Sequence, residues 1–277
     1  MRPLHSAAPR RLLSATDGVM LVIGMVVGAG IFKAPSIVAG SVGSGAGFAL
    51  AWLAGGVASL CGALVYAELS GRFPETGGEY RFLERAYGRG AAFVFAWSRM
   101  SVVQTGAIAA VAFVFGDYAQ QLLPLGPGGP ALYAGLGVAA LTVLNVAGTP
   151  QSRTLQKAMG VLLVASLVAI AIAGLLAPAA PVAPAAAPAD ASGPGFGLAM
   201  IFVLLTYGGW NEAAYLAGEV REPRRDMLRI LVGGIVAVTA LYLLVNLGYY
   251  RALGLAGLRD SPAVAADVVR RAAGPGA

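Results

Sequence analysis

Charged residues are scarce in this sequence, and long uncharged stretches take their place. Asp, Glu, Lys and Arg together make up 12% of the 277 residues, whereas they make up roughly 25% of soluble domains. Apolar residues make up 58% of the chain. This composition excludes an ordinary soluble protein and predicts a polytopic membrane protein.

Cysteine and histidine are almost absent. The chain has one cysteine, Cys61, and one histidine, His5, so it cannot form an internal disulfide or a Cys/His metal site. The glycine-rich stretch 43–47 follows no predicted strand and is therefore not a dinucleotide-binding loop. We expect no cofactor, no metal and no enzymatic activity.

Lys and Arg are missing from two connecting loops, residues 117–130 and 178–195. Most of the basic residues lie instead before the first apolar segment and after the second, fourth and sixth. By the positive-inside rule the N-terminus is then cytoplasmic, and residues 251–277 lie outside. The net charge of +6 reports topology, and we expect no nucleic-acid partner.

The apolar segments are long enough to cross a membrane, since a bilayer core about 30 Å thick needs about 20 residues per helix. Seven segments meet this length: 17–40, 45–67, 92–116, 131–149, 158–177, 196–217 and 228–250. The sequence thus predicts an all-α fold, with one transmembrane domain over residues 1–277 and a Pro/Ala-rich external loop at 178–195. We expect a multi-pass protein of the bacterial inner (plasma) membrane, with the lipid bilayer as a partner.

The first apolar segment is interrupted by glycines at Gly24, Gly28 and Gly30. Each glycine weakens a helix by about 1 kcal/mol relative to alanine. One interpretation is a small-xxx-small face that packs against another helix. The other is a helix that opens so that its backbone groups hold a solute. On this segment alone, packing is favoured.

The sixth segment is interrupted in the same way. Gly208 and Gly209 stand between Tyr207 and Trp210 in mid-segment, and Asn211 and Glu212 follow. An intramembrane carboxylate is costly and marks a functional site by default. For Glu212, proton coupling and a structural hydrogen bond remain open as alternatives.

The two interrupted segments cross the membrane in opposite directions. Interrupted helices at corresponding positions of two inverted halves mark the binding site of many secondary transporters. There, half-helix N-termini attract a carboxylate, and unwound carbonyls accept hydrogen bonds from an ammonium group. An amino acid offers both groups, and the pairing therefore favours a solute site over simple packing.

Several stretches resemble the amino acid–polyamine–organocation (APC) superfamily, and particularly its L-type amino acid transporter branch. They are GMVVGAGIFKAP at 24–35, GALVYAELSGRFPETGGEYRFLERAYG at 62–88, TYGGWNEAAYLAGEVREPRRDMLRI at 206–230 and LYLLVNLGYYRAL at 241–253. The resemblance implies a five-plus-five inverted repeat with discontinuous helices one and six. The first repeat covers about 17–177 and an incomplete second repeat about 196–277. It also implies transport of amino acids, of neutral type, by alternating access.

The resemblance also implies the residues of the substrate site. Backbone amides would hold the substrate carboxylate at Gly28, Ala29, Gly30 and Ile31. Carbonyls would hold the amino group near Val26 and Val27, and at Leu205, Thr206, Tyr207 and Gly208. The side of helix six that completes the site would include Tyr207, Gly208, Trp210 and Asn211.

The chain departs from the family pattern at several positions. Ala29 replaces a common serine, Leu205 replaces an aromatic gate, and Leu163 stands where many members have a lysine. Loop 117–130 lacks the cysteine that tethers a heavy chain, so we expect no disulfide-linked heavy chain.

Seven helices are fewer than the ten of the family core. We therefore expect the sequence to be a fragment or a truncated product, with a partner supplying the missing helices as the other explanation. The alternative to transport is a truncated, non-transporting membrane protein with a structural or interaction role.

Overall fold

A computed structural model describes residues 13–75, 77–146, 152–180 and 194–274. Within these ranges the regular elements are helices, and a single isolated bridge pairs Leu13 with Val220. Eleven are α-helices: α1 Ala15–Val26, α2 Gly30–Ser41, α3 Gly45–Arg72, α4 Gly78–Tyr87, α5 Arg89–Ser98, α6 Gln104–Leu122, α7 Gly129–Val146, α8 Ser152–Leu176, α9 Pro194–Tyr207, α10 Pro223–Asp260 and α11 Val264–Ala273. A π-helical turn, Arg99–Val103, joins α5 to α6, and a 3₁₀ segment, Trp210–Glu219, follows α9.

Within the part of the chain that the structure describes, four helices are long and apolar enough to cross a membrane. They are α3, α7, α10 and the continuous stretch Arg89–Leu122, and α1 with α2 together count as one interrupted span. The described residues thus agree with an all-α polytopic membrane protein. They support up to five spans, where the sequence predicts seven.

Two of the predicted segments are shorter than a membrane span within the described residues. Helix α9 has 14 residues and ends at the Gly208-Gly209 pair, and the described apolar stretch of α8 is Gly160–Leu176. Most of the predicted external loop, residues 181–193, lies outside the described residues, as does the basic stretch before Leu13.

The chain forms two compact units. The first unit comprises the described residues of Met1–Val26, Ala58–Ser98 and Gly208–Ala237. In it, α1 packs closely on the start of α10, and a Cβ at Gly234 would lie 2.4 Å from Val22 Cγ1. Helix α4 packs on both α5 and the 3₁₀ segment.

The second unit comprises Val27–Val57, Arg99–Tyr207 and Val238–Ala277, again where described. Here α2 packs on α9 and α11, and α6 packs on α7. Three fully buried aromatic residues, Trp52, Tyr207 and Tyr242, form a cluster between α3, α9 and α10. This cluster forms the core of the unit next to the end of α9.

The short helix α11 begins at Val264, and its residues Val264 and Val268 are buried. The Ser261 hydroxyl, which precedes the helix, donates to the Asp267 carboxylate in the first helical turn.

Candidate functional site

The first helix interruption lies between α1 and α2. Helix α1 ends at Val26 and α2 begins at Gly30, which leaves residues 27–29 non-helical. The first N–H groups of a helix have no intrahelical acceptor, and they carry the positive end of its dipole. The start of α2 therefore has the chemistry that attracts a carboxylate.

Gly30 permits close contact between α2 and α9. A Cβ at Gly30 would lie 3.0 Å from Thr206 Oγ1 and 3.2 Å from Thr206 Cα. Because the nearest groups include backbone, the neighbour cannot rotate away as a flexible side chain would. Glycine thus favours the close approach of α2 to the end of α9 at this position.

Tyr242 of α10 lies between the residues that follow α1 and the end of α9. Its hydroxyl donates to the carbonyl oxygen of Thr206 at 3.1 Å, and the backbone of Gly28 lies close to the same hydroxyl. The side chain is fully buried. The sequence analysis missed Tyr242, because one tyrosine in an aliphatic helix looks like a packing residue.

Tyr207, a predicted site residue, belongs to the aromatic cluster. It is fully buried, and its hydroxyl donates to the Trp52 carbonyl at 3.2 Å. Its ring centroid lies 6.3 Å from that of Trp52 and 5.1 Å from that of Tyr242. Tyr207 therefore supports the end of α9 from behind, and its hydroxyl is already engaged.

The second interruption is the turn at Gly208 and Gly209. Gly209 has φ 107°, in the left-handed region that favours glycine. A Cβ at this position would lie 2.5 Å from the Met25 carbonyl oxygen and 3.5 Å from Val26 Cα. The turn and the end of α1 are thus in backbone contact.

Beyond this turn, Trp210 and Asn211 are held by groups on α3 and α4. Trp210 stacks edge-on against Tyr66 with centroids 5.1 Å apart. The Asn211 Nδ2 donates to Glu79 Oε1 at 2.9 Å. The sequence analysis did not single out Glu79 or Tyr66. The residues that they contact beyond the turn, Asn211 and Trp210, lie more than a hundred positions further along the chain.

The remaining predicted site residues are placed as follows. Val26, Val27 and Ile31 have buried side chains, so they could reach a solute only through their backbone. Ala29 precedes α2, and its carbonyl accepts from the Phe32 N–H at 3.1 Å. The Leu205 side chain is 70% exposed and points away from the interior, because it lies on the opposite face of α9 from Val203 and Tyr207.

Glu212 is half-buried in the 3₁₀ segment, and its N–H donates to the Gly209 carbonyl at 3.1 Å. The proposed proton-coupling role of its carboxylate stays a prediction. Among the residues that the structure describes, no cluster of His, Cys, Asp and Glu could hold a metal ion.

Lys33 lies one turn into α2, where it forms an ion pair with Asp117 of α6. The Lys33 Nζ to Asp117 Oδ2 distance is 2.8 Å, and the Pro262 carbonyl lies 3.4 Å from the same Nζ. The two side chains are 34% and 29% exposed. The pair connects α2, α6 and the segment before α11.

We expect the Lys33–Asp117 pair to add little stability, because partly exposed pairs contribute about 0–1 kcal/mol. Asp117→Asn should lower the melting temperature by no more than about 4 °C. Thermal melting of detergent-purified protein measures this. Loss of the folded protein in both Asp117→Asn and Lys33→Met would show that the pair is structurally essential in a way its exposure does not predict.

Comparison with known proteins points to one family. A family described as "Amino acid permease" matches residues 13–275. The serine/threonine exchanger SteT of Bacillus subtilis is 30% identical over 226 residues, which cover 82% of this chain and 51% of the relative. The human b(0,+)-type amino acid transporter 1 is 29% identical over 91% of this chain and 54% of its own length.

A mouse relative, the large neutral amino acids transporter small subunit 2, is 28% identical over 88% of this chain and 48% of its own length. The chain thus spans about half the length of the curated relatives it matches. The family match over residues 13–275 includes both glycine-interrupted helices.

Proposed function

This chain belongs to the amino acid permease family of the APC superfamily, and from that premise we propose that it binds amino acids and moves them across the membrane as a secondary transporter. The observation that carries the proposal is the meeting of α2 and α9 at Thr206, whose carbonyl accepts a hydrogen bond from the Tyr242 hydroxyl and which lies in close contact with Gly30. It brings a helix N-terminus next to the carbonyl end of another helix. Those are the two backbone groups that an amino acid needs.

In the second unit, the substrate carboxylate would lie at the amides of Gly28, Ala29, Gly30 and Ile31. The ammonium group would lie at the carbonyls of Val27 and at the end of α9, which includes Thr206. Because Tyr242 already donates to the Thr206 carbonyl, the ammonium group would share or replace that hydrogen bond. Val26, Gly208 and Trp210 belong to the first unit and remain predicted contributors, whereas Asn211, which the sequence also predicts there, donates its amide N–H to Glu79.

The fold and the substrate class belong to the same proposal. The fold would be an inverted repeat with seven membrane segments. Its two discontinuous helices would be α1 with α2, and α9 with the 3₁₀ segment. The substrates would be neutral, because residues 27–31 and 205–207 carry no charged side chain. The name of the mouse relative also supports a neutral substrate.

The transport cycle would be alternating access in the bacterial inner membrane, with the N-terminus cytoplasmic. The arginine-rich and arginine-free loops support that orientation. No disulfide-linked subunit is part of the proposal, since Cys61 lies within α3 and is the only cysteine of the chain.

The test compares an amino acid with its methyl ester. Purified protein in nanodiscs should bind radiolabelled L-serine or L-leucine saturably, and the matching methyl ester should compete at least about 10-fold more weakly, because it lacks the charged oxygens that helix N-termini favour. Equal competition by ester and acid would overturn the carboxylate site.

Uptake into proteoliposomes separates transport from binding alone. Saturable uptake by the 277-residue protein would support a transporter, whereas binding without uptake would favour the non-transporting alternative. Empty liposomes and liposomes with heat-denatured protein serve as controls. Absence of both binding and uptake would overturn the proposed function.

A further inference from the structure

Glu79 is an almost completely buried carboxylate at the start of α4. It is 9% exposed, and acidic side chains are seldom buried unless hydrogen-bonded partners compensate the lost hydration. Its Oε1 accepts from the Tyr66 hydroxyl at 2.7 Å and from Asn211 Nδ2 at 2.9 Å. The donors lie on α3 and on the 3₁₀ segment, so one oxygen joins three elements of the first unit.

The same three elements fit together at a second point. The aromatic ring of Tyr66, whose hydroxyl donates to Glu79, also packs edge-on against Trp210. One turn earlier, a Cβ at Gly62 would lie 2.7 Å from Trp210 Cη2, so α3 has a glycine where the indole ring needs space. Trp210 and Asn211, the first residues after the second interruption, are therefore both held in place, one by packing and one by hydrogen bonding.

Helix α4 is itself firmly attached. Gly78 has φ 45°, and a Cβ there would lie 2.9 Å from the Tyr215 ring of the 3₁₀ segment. Glu75 pairs with Arg85, whose guanidinium stacks 4.7 Å from the centroid of the Phe73 ring. Because α4 is held by several contacts, its position constrains the side chains that hydrogen-bond to Glu79, which are Tyr66 and Asn211.

We propose that Glu79 is a positioning residue for the second helix interruption, acting through Asn211 and Tyr66, and that Asn211 serves this clasp instead of binding substrate directly. This inference rests on the proposed transport function. The clasp comprises Tyr66, Glu79 and Asn211. It fixes the rotation of the 3₁₀ segment after Gly209, the part that must be oriented correctly for the transport cycle.

The inference predicts a split between binding and transport. Glu79→Gln keeps an acceptor oxygen but replaces two charge-assisted hydrogen bonds with weaker neutral ones. Uptake Vmax should fall about 10-fold while the equilibrium affinity for L-serine or L-leucine stays unchanged, since roughly 1.4 kcal/mol corresponds to a tenfold effect. Tyr66→Phe should act in the same direction, because it removes one donor and keeps the ring on Trp210.

A double-variant cycle tests whether the three residues act together. Asn211→Ala and Glu79→Ala remove the same hydrogen bond, so the double variant should be no slower than the slower single variant. Effects on uptake that multiply would overturn the clasp. Glu84→Gln is the matched control, because it changes a carboxylate of α4 that pairs with Arg81 outside the clasp. It should transport normally.

The outcomes keep the two proposals apart. If the unmodified protein neither binds nor transports, the proposed function fails. If it transports and Glu79→Gln and Tyr66→Phe do so equally well, the clasp fails. Thermal melting monitors folding: a lower melting temperature with normal uptake would show a merely structural role, and a weakened substrate affinity in Asn211→Ala alone would show that Asn211 binds substrate directly.

Discussion

Gly209→Ala is expected to lower amino-acid uptake by at least about 30-fold, because the cost of the added methyl group is roughly 2–5 kcal/mol. Two effects combine. Gly209 has φ 107°, which an alanine adopts only with strain, and its Cβ would lie 2.5 Å from the Met25 carbonyl oxygen. To relieve the clash, the turn must move away from the end of α1.

Initial uptake rates in proteoliposomes measure the effect, with thermal melting as a check on folding. Gly197→Ala is the matched control: Gly197 lies in α9, and a Cβ there would meet nothing within 4 Å. We expect this control to transport normally. Normal uptake by Gly209→Ala would show that the turn moves freely past α1 and would remove the physical reason for its glycine.

The positions of both interruptions were predictable from sequence. Gly28 and Gly30 weaken the first segment, Gly208 and Gly209 weaken the sixth, and helices indeed end at Val26 and Tyr207. This works because glycine acts locally, through its own backbone. The number of spans was less predictable. A span is recognised by the length of one apolar helix, and an interruption divides that helix into shorter pieces.

The side chains around the interruptions were harder to predict, because their roles depend on tertiary contacts. Helix α9 is apolar on every side, so its sequence does not show that Leu205 faces outward while Tyr207 is buried. Tyr242 has an ordinary place in an aliphatic helix, and only the fold brings its hydroxyl to Thr206. Glu79 lies in a charged surface motif, yet its partner Asn211 is 132 positions away.

The structure bears on one of the two interpretations of the first glycine motif. A packing face would need another helix close to both Gly24 and Gly28. At Gly24 an added Cβ would meet nothing within 4 Å, whereas at Gly30 it would meet Thr206. The structure therefore offers no support for a packing face at Gly24, and the solute-site interpretation stays a prediction.

The variant Gly30→Val tests the difference in available space between Gly24 and Gly30. Its branched side chain would overlap Thr206, including Cα, and overpacking of this kind costs about 1–3 kcal/mol, with the upper end expected where backbone must move. Separating α2 from the end of α9 would also separate the proposed carboxylate and ammonium sites. We therefore expect L-serine or L-leucine binding to weaken by about 100-fold.

Gly24→Val is the matched control, because it makes the same change in the same segment where space is open, and valine is a better helix former than glycine. Its affinity should equal that of the unmodified protein in the same nanodisc assay. The packing interpretation predicts the reverse order, with Gly24→Val the more damaging change. The ratio of the substrate affinities of Gly30→Val and Gly24→Val thus decides whether this glycine motif packs against a helix or forms part of a substrate site.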